Sequence, residues 1–429
     1  MNTIEPGLGF FASTRGTMPA YHSGTSRPGS VLQRSVRVHP AARFYRLLLV
    51  ASVISATAIA CERRPSTESA DTGTGDILVG FYGSLTGDGA SFGQSSREGA
   101  EMAVEEVNAA GGLLGGRRIR LLVEDDQSRP EEASNAVTKL ITQDKVVAVI
   151  GEVASRRTLA AAPVAQKFQV PMISPASTNE RVTEVGDYIF RVCFIDPFQG
   201  EVIAKFAYTD LKARRVAILK DIQQDYSVGL SDAVTKTFTA LGGEVLDTVS
   251  YSSGDSDFKA ALTKIRGLKP DALFAPGYYN EVAIIARQAR ELGMTMPILG
   301  GDGWVGDALA NGREALANTF ISDHYHGDNP APVVQNFVKG YRAKFGRPPD
   351  SIAALGYDSI KVLADALARA GSTQGPQVRD ALATGDVTGV TGQLKMNAKR
   401  NVDKPAVISE VTFVDGAVKY VYRATVSPS

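Results

Sequence analysis

The sequence predicts an α/β protein of two lobes, each built on a parallel β-sheet with helices on both faces. From Asp76 onward, short apolar runs that end in turn residues alternate with segments whose apolar residues recur at helical spacing. This alternation is typical of parallel sheets, and the strands are too many for one compact sheet. The chain has 429 residues, 44% of them apolar and 21% charged, which is long enough for two domains.

Charge excludes some classes of partner. Lys plus Arg and Asp plus Glu number 46 each, so no overall electrostatic attraction favours nucleic acid or an anionic membrane surface. We therefore expect a small-molecule partner and no nucleic acid. We also expect a monomer without a cofactor.

Residues 1–60 are predicted to be an N-terminal extension and a signal peptide. Arg43 and Arg46 lead into "LLLVASVISATAIA", an apolar run too short for a comfortable transmembrane span and followed by small residues. The stretch "ATAIAC" at the end of this run resembles a bacterial lipoprotein box, in which Cys61 would carry the lipid. The alternative is an ordinary signal with an incidental cysteine. Residues 61–75 have no apolar face and predict a flexible tether.

The elements of the first lobe follow in order. "ILVGFYGS" is a strand, and residues 94–108 form an amphipathic helix that a glycine pair ends. "IRLLVED" is the second strand, and the next helix opens with Ser128 three residues before Glu131, the pattern of a capping box. "KVVAVIG", a helix from Ser155 and the strand "VPMIS" continue the series.

The second lobe repeats this alternation with the strands "RRVAILKD", "DALFAPG" and "MPILGG", and with a helix over residues 281–292. In open parallel sheets, ligands bind at the carboxyl ends of the strands. Loops rich in glycine, hydroxyls and aromatics follow these strands, among them "GSLTGDGASFG", "GEVAS", "SPASTNE", "KDIQQDYSVG", "PGYYNE" and "GGDGW".

Residues 76–423 resemble the branched-chain amino acid ABC transporter substrate-binding proteins, a family with the type 1 periplasmic binding fold. The segments that carry the resemblance are "GSLTGDGASFG", "EVNAAGGLLGGRRIRLLVEDDQSRPEEA", "VIGEVAS", "PMISPASTN", "FIDPFQG", "DYSVGL" and "GYYNEVAIIARQARELG". The resemblance implies two Rossmann-like lobes with parallel central sheets, joined by a three-crossing hinge. We expect crossings near Asp196, Asp302 and Thr391.

These crossings divide the chain into discontinuous lobes. We expect residues 76–196 plus 302–390 in the first lobe and residues 197–301 plus 391–423 in the second. The resemblance also implies an extracytoplasmic protein, periplasmic or at the cell surface, held to the membrane by the lipid on Cys61. Such a protein captures an amino acid or an amino-acid-like solute and delivers it to an ABC permease.

Two loops of the first lobe are expected to hold an anionic group. Backbone amides and hydroxyls at helix N-termini attract anions. By resemblance, Ser155, Ala176 and Thr178 hold the α-carboxylate of the ligand, and Ser177 offers a further hydroxyl. The alternative is that each hydroxyl caps only its own helix.

The ammonium group of an amino acid needs a nearby acid, because a buried and unpaired charge is costly. We expect Asp302 to supply this acid. Tyr226 and either Tyr278 or Tyr279 are the expected hydroxyl and aromatic partners from the second lobe.

Aromatic residues are expected to form the walls around the ligand side chain. These are Phe92, Tyr226, Tyr279 and Trp304, the last being the only tryptophan of the chain. The alternative is that each aromatic residue serves local packing.

Other motifs carry no function. "GDGASFG" lacks the spacing of a dinucleotide-binding loop. His324 and His326 have no visible third ligand, so we expect a solvent-facing loop and no metal. The other cysteine, Cys193, is expected to be a buried apolar residue. A ligand sensor or an amide or urea binder of the same fold remains open, as does an exported α/β enzyme, which would need a nucleophile and base in the cleft.

Overall fold

The structure is a computed structural model that describes residues 74–428. The predicted extension and signal peptide, Cys61 and most of the tether lie outside the described residues. Within the described part of the chain, no helix combines the length and apolar character needed to cross a membrane.

Five parallel strands form the sheet of the first lobe. They are β1 (Ile77–Gly83), β2 (Ile119–Asp125), β3 (Ala148–Ile150), β4 (Met172–Ser174) and β5 (Ile189–Arg191). Their order in the sheet is β2-β1-β3-β4-β5, so the strand order changes direction at β1 and β3. In such sheets the ligand crevice lies outside the carboxyl ends of the strands at that point.

The strands of this lobe alternate with four helices. They are α1 (Ala90–Ala109), α2 (Pro130–Thr142), α3 (Ser155–Phe168) and α4 (Arg181–Glu184). The predicted start of a helix at Ser155 is confirmed, but the predicted capping box at Ser128 is wrong. The Ser128 hydroxyl donates instead to the carbonyl of Thr86 at 2.9 Å, because the two loops at the sheet edge bind each other.

The chain then enters the second lobe. Its strands there are β6 (Arg215–Asp221), β7 (Glu244–Tyr251), β8 (Ala272–Phe274), β9 (Ile298–Gly300) and β10 (Thr319–Asp323). Its helices are α5 (Asp196–Thr209), α6 (Asp225–Ala240), α7 (Lys259–Leu268) and α8 (Tyr279–Glu291). Two 3-10 segments, Asp302–Trp304 and Asp307–Leu316, lie between β9 and β10.

After β10 the chain packs again on the first lobe. Three helices follow there, α9 (Pro332–Phe345), α10 (Ser351–Ala370) and α11 (Gly375–Ala383), with a hairpin of β11 (Asp386–Gly389) and β12 (Gly392–Lys395). Helix α10 lies against α1 so closely that a Cβ on Gly99 would be 1.9 Å from the carbonyl oxygen of Ala353. Only glycine permits this contact of backbone with backbone.

Two last strands, β13 (Ala406–Val414) and β14 (Ala417–Val426), complete one side of the second sheet and are antiparallel to their neighbours. The order of its seven strands is β14-β13-β10-β9-β8-β6-β7. Strand β10 pairs in parallel with β9. Residues up to Asp323 therefore belong to the second lobe, and this corrects the crossing that we predicted near Asp302. The sequence reasoning missed β10 as a strand, so it ended the second lobe one strand too early.

Candidate functional site

A small cavity lies where the two lobes meet, at the carboxyl ends of the parallel strands. Its lining comes from both lobes and consists of Phe92, Val153, Ser155, Ala176, Ile352, Tyr226, Tyr278, Asp302 and Gly303. The cavity volume is about 10 Å³, which is close to the room that one water molecule needs. The lobes are thus closed on each other, and a ligand enters only if they separate.

The first-lobe side of this cavity is uncharged. Ser155 opens α3 directly after β3, and Ala176 follows the end of β4. The residue before the helix, Ala154, has extended backbone angles and makes no side-chain cap. The Ser155 hydroxyl accepts a hydrogen bond from the Asn179 amide at 3.2 Å. A helix start of this kind suits an anionic group of a ligand.

The structure places Ser177 and Thr178 outside the cavity lining. The Ser177 hydroxyl lies 2.9 Å from the carbonyl oxygen of Glu152 and donates to it, so it ties the loop after β4 to the loop after β3. Thr178 is buried, and its carbonyl accepts from the Asp196 amide at 2.9 Å. The hydroxyl of Ser177 therefore serves the first lobe itself, and the expected ligand contacts of both residues stay predictions.

Asp302 is the acid in the cavity, and it is buried with 4% of its surface exposed. Its Oδ1 accepts from Nε2 of Gln199 at 2.7 Å, and its Oδ2 lies 2.9 Å from Nε2 of His324. Burial lowers the pKa of His324 to about 4, although the hydrogen bond to Asp302 opposes this shift. His324 is therefore neutral at neutral pH, and two uncharged side chains orient the Asp302 carboxyl group.

His324 occupies the start of the crossing from β10 to α9, and its ring stacks on Phe194 with the ring centroids 3.8 Å apart. Only 2% of its surface is exposed. The expectation of a solvent-facing loop is therefore wrong for His324, because the crossing turns this side chain inward toward Asp302. Among residues 74–428, no three His, Cys, Asp or Glu side chains are grouped to hold a metal ion.

Three aromatic rings line the cavity. The rings of Tyr226 and Tyr278 stack with centroids 5.3 Å apart and an interplanar angle of 7°. Phe92 from the first lobe meets Tyr278 edge-on at 5.4 Å. The Tyr226 hydroxyl accepts from the Gly303 amide at 3.2 Å, which fixes the loop that carries Asp302. Of the alternatives Tyr278 and Tyr279, Tyr278 is the one that lines the cavity.

Tyr279 and Trp304, which we expected in the walls around the ligand side chain, do not line the cavity. The Tyr279 hydroxyl donates to the carbonyl of Asp88 at 2.6 Å and so joins the second lobe to the first. Trp304 is fully buried, and its indole Nε1 donates to the carbonyl of Ala275 at 3.1 Å. Trp304 is thus a core residue of the second lobe in this structure, because the 3-10 turn points its side chain under β9.

Further contacts between the lobes surround the cavity. Nδ2 of Asn280 donates to the carbonyl of Asp88 at 2.7 Å, beside the Tyr279 contact. Nδ2 of Asn179 donates to the carbonyl of Asp225 at 2.8 Å, and Arg181 forms an ion pair with the Asp225 carboxylate at 2.9 Å. Polar contacts thus hold the closed form at the rim.

A buried charged cluster lies in the first lobe behind the cavity. Nε of Arg157 lies 3.1 Å from Oε1 of Glu152 and 3.9 Å from Oδ2 of Asp126. Burial, helped by the charge of Glu152, raises the pKa of Asp126 to about 7. Arg157 also borders a second cavity of about 230 Å³, which adjoins the first through Phe92 and Tyr278.

Sequence reasoning missed several residues of the site. Gln199 and His324 act through Asp302, and Val153, Gly303 and Ile352 line the cavity. Val153 and Gly303 adjoin predicted site residues, so the loop motifs contained a signal for both. Gln199 lies in the segment "FIDPFQG" that carries the family resemblance, although the sequence reasoning gave it no role. No local pattern placed His324 or Ile352 at the cavity, because they come from a crossing and a helix elsewhere in the chain.

Cys193 is fully buried, as expected, and burial raises the pKa of its thiol to about 12. The thiol therefore stays protonated at neutral pH and is a poor nucleophile.

Comparison with known proteins identifies the family. The family model "Periplasmic binding protein" matches residues 76–414. An "Amino acid binding protein" of Pseudomonas aeruginosa is 33% identical over 331 residues, which cover 76% of this chain and 87% of that protein. A "Leu/Ile/Val-binding protein homolog 1" of Brucella suis is 30% identical over 339 residues, which cover 78% and 89%.

Solved structures agree. A leucine-binding protein of Thermotoga maritima is 40% identical with a TM-score of 0.78, covering 82% of this chain and 99% of that one. The branched-chain amino acid binding protein of Streptococcus pneumoniae in complex with isoleucine is 36% identical with a TM-score of 0.75, covering 81% and 100%. The chain therefore belongs to the branched-chain amino acid ABC transporter substrate-binding protein family, and its fold is the type 1 periplasmic binding fold that the sequence predicts.

Proposed function

We propose that this protein captures an amino acid between its lobes and delivers it to an ABC permease. One observation carries the proposal: the buried carboxyl group of Asp302 and the uncharged helix start at Ser155 line the same cavity from opposite lobes. An α-amino acid carries an ammonium and a carboxylate on one carbon atom. This pair of charges matches an acid on one wall and backbone amides on the other.

Closure of the lobes supplies the signal to the permease. The rim contacts at Asp88 and Asp225 exist only when both lobes meet. A ligand shifts the equilibrium toward the closed form only if it binds that form more tightly. A ligand that bridges Ser155 and Asp302 meets this condition, and the permease would then recognise the closed surface.

Aromatic acids are the second candidate ligands, because three aromatic rings line the cavity. A solute-binding protein of Rhodopseudomonas palustris in complex with benzoate has the same fold, at 24% identity and a TM-score of 0.74. A benzoate has no ammonium group, so its binding would leave Asp302 buried without a counter-charge. The geometry therefore favours an amino acid over an aromatic acid.

Location and anchoring belong to the same proposal. The family is extracytoplasmic, and we propose that a lipid on Cys61 holds this member to a membrane while residues 61–75 act as the tether. The test is fractionation of cells that express the wild type or Cys61→Ser. The wild type should sediment with membranes and the variant should not; equal membrane association would contradict the lipid anchor.

The binding proposal is tested by thermal shift over the twenty amino acids, with native mass spectrometry of each ligand found. For the best ligand, the analogue without the ammonium and the analogue without the carboxylate should both fail to stabilise the protein. Stabilisation by either analogue to the same degree would contradict the proposal. The ligand should also be recovered unchanged, whereas turnover would indicate an enzyme.

A further inference from the structure

A larger outer compartment of about 230 Å³ adjoins the cavity at Asp302. Phe92 and Tyr278 line both spaces and form the partition between them. The outer compartment is lined from the first lobe by Arg157 and from the second lobe by Gln224. A ligand whose charged groups lie between Ser155 and Asp302 would therefore reach this compartment only with its side chain, past the two rings.

Three polar atoms at this compartment are buried and have no hydrogen-bond partner among the described residues. They are Nη2 of Arg157, the hydroxyl oxygen of Tyr278 and Oε1 of Gln224. Arg157 is 6% exposed, and a Cβ on Gly89, another residue of the lining, would lie 2.9 Å from its Nη2. Unsatisfied buried groups are rare because each costs about 1 to 3 kcal/mol.

Two of these atoms require opposite hydrogen-bond partners. Nη2 of Arg157 can only donate, and Oε1 of Gln224 can only accept, while its Nε2 already donates to Ser253 at 2.8 Å. A group that satisfies both must therefore accept and donate at once. A carboxamide does this through its carbonyl oxygen and its NH₂ group.

We propose that the outer compartment binds the side-chain carboxamide of the amino acid ligand, which makes the ligand class an amide amino acid such as glutamine. This inference rests on the proposed function, because it presumes that the α-amino and α-carboxylate groups occupy the inner cavity.

The charges around the compartment exclude two alternatives. Arg157 already faces Glu152 at 3.1 Å, and Glu281 and Asp88 offset Arg156 in the lining, so a second carboxylate gains no net attraction there. A branched aliphatic side chain would leave the donor and the acceptor unpaired, and sites built from buried polar groups strongly reject such ligands.

Isothermal titration calorimetry with L-glutamine, L-glutamate and L-leucine tests this inference on the wild-type protein. L-Glutamine should bind at least about tenfold more tightly than either of the others, as one or two satisfied buried hydrogen bonds would give. Equal or tighter binding of L-leucine or L-glutamate would overturn the inference and leave the proposed function standing. If none of the twenty amino acids binds, the proposed function fails as well.

A variant separates the compartment from the rest of the site. Gln224→Met keeps the side-chain length and removes the carboxamide, so it should weaken the binding of L-glutamine by about tenfold. It should not weaken the binding of L-leucine, because leucine then no longer leaves this acceptor unpaired. Gln143→Met, at the exposed end of α2, is the matched control and should change neither affinity. An equal loss for both ligands in Gln224→Met, or no loss for L-glutamine, would overturn the assignment of Gln224.

Discussion

The two walls of the cleft are built differently. On the first lobe, Ser155 and Ala176 stand at the ends of parallel strands and carry no charge. On the second lobe, a buried acid and two stacked tyrosines face them, and Asp302 depends on Gln199 and His324 for its orientation. The first wall is thus a local product of strand and helix ends, whereas the second is assembled from separate segments.

Under the proposed function, this difference predicts which wall selects the ligand. Backbone amides at a helix start accept many anionic groups, so the first wall selects only for a negative charge. A buried carboxylate demands a positive partner, because an unpaired charge in the closed cleft is costly. Under the proposed function, the second wall is therefore the one that would separate amino acids from simple carboxylic acids.

The largest expected effect comes from removal of the charge on the second wall. Asp302→Asn keeps the shape of the side chain and removes the counter-charge of the ligand ammonium. Calorimetry should show a loss of about 3 kcal/mol in binding free energy, about 100-fold in Kd. Asp307→Asn, an exposed acid five residues along, should bind as the wild type does. An unchanged Kd in Asp302→Asn would refute the assignment of the ammonium site.

A second test concerns how His324, which orients Asp302 in the second wall, makes the folding stability depend on pH. Burial lowers the pKa of His324 from 6.5 to about 4 in the folded protein, so between these values the unfolded chain binds the proton more readily. Folding stability from this group is therefore complete above about pH 6.5 and is lost as the pH falls toward 4.

From pH 7 to pH 5, urea denaturation should show the wild type losing about 2 kcal/mol more than His324→Gln. The comparison with the variant is needed because Asp302 and Lys404 also act on the ring, and the Asp323 carboxyl accepts a hydrogen bond from the backbone amide of His324. An equal loss in both proteins would show that His324 does not titrate in this way.

The first wall is tested by a pair of serines. Ser155→Ala removes a hydroxyl that lines the cavity, and it should weaken ligand binding by about tenfold, or about 1.4 kcal/mol. Ser177→Ala removes a hydroxyl bound to the carbonyl of Glu152, and it should lower the free energy of unfolding by about 1 to 3 kcal/mol without a change in Kd. Calorimetry and urea denaturation of both variants measure this. If Ser177→Ala weakened binding more than Ser155→Ala did, the assignment of ligand binding to Ser155 and of a structural role to Ser177 would be wrong.

The smallest effect is expected at the rim. Tyr279→Phe removes the hydrogen bond to Asp88 that joins the walls only in the closed form. One neutral hydrogen bond contributes about 0.5 to 1.5 kcal/mol, so Kd should rise about threefold. Tyr422→Phe on the exposed face of β14 is the control. A wild-type Kd in Tyr279→Phe would mean that this contact does not stabilise closure.

Sequence reasoning succeeded where a residue's position follows from its own strand or helix. The strands before Ser155 and Ala176 end where the apolar runs end, and the carboxyl edge of a parallel sheet then brings these residues together. Asp302 follows β9 by the same rule. All three residues line the cavity, and their contact with a ligand stays a prediction.

It failed where the direction of a side chain depends on a distant partner. Ser177 and Ala176 are neighbours, yet only Ala176 lines the cavity, because the hydroxyl of Ser177 binds the loop after β3. Trp304 lies two residues from Asp302, yet its indole turns into the lobe to reach Ala275. The hydrophobic effect has no direction, so the letters of a loop do not show which aromatic residue enters the core.

The sequence by itself determined the fold class, the two lobes and the strand ends that meet at the cavity, because these depend on local periodicity and on the geometry of parallel sheets. Only the tertiary structure decided that β10 stays with the second lobe, that His324 and Gln199 hold Asp302, and that Tyr278 rather than Tyr279 lines the cavity. Each of these depends on a contact between segments far apart in the chain, and one sequence does not encode such pairings in any local pattern.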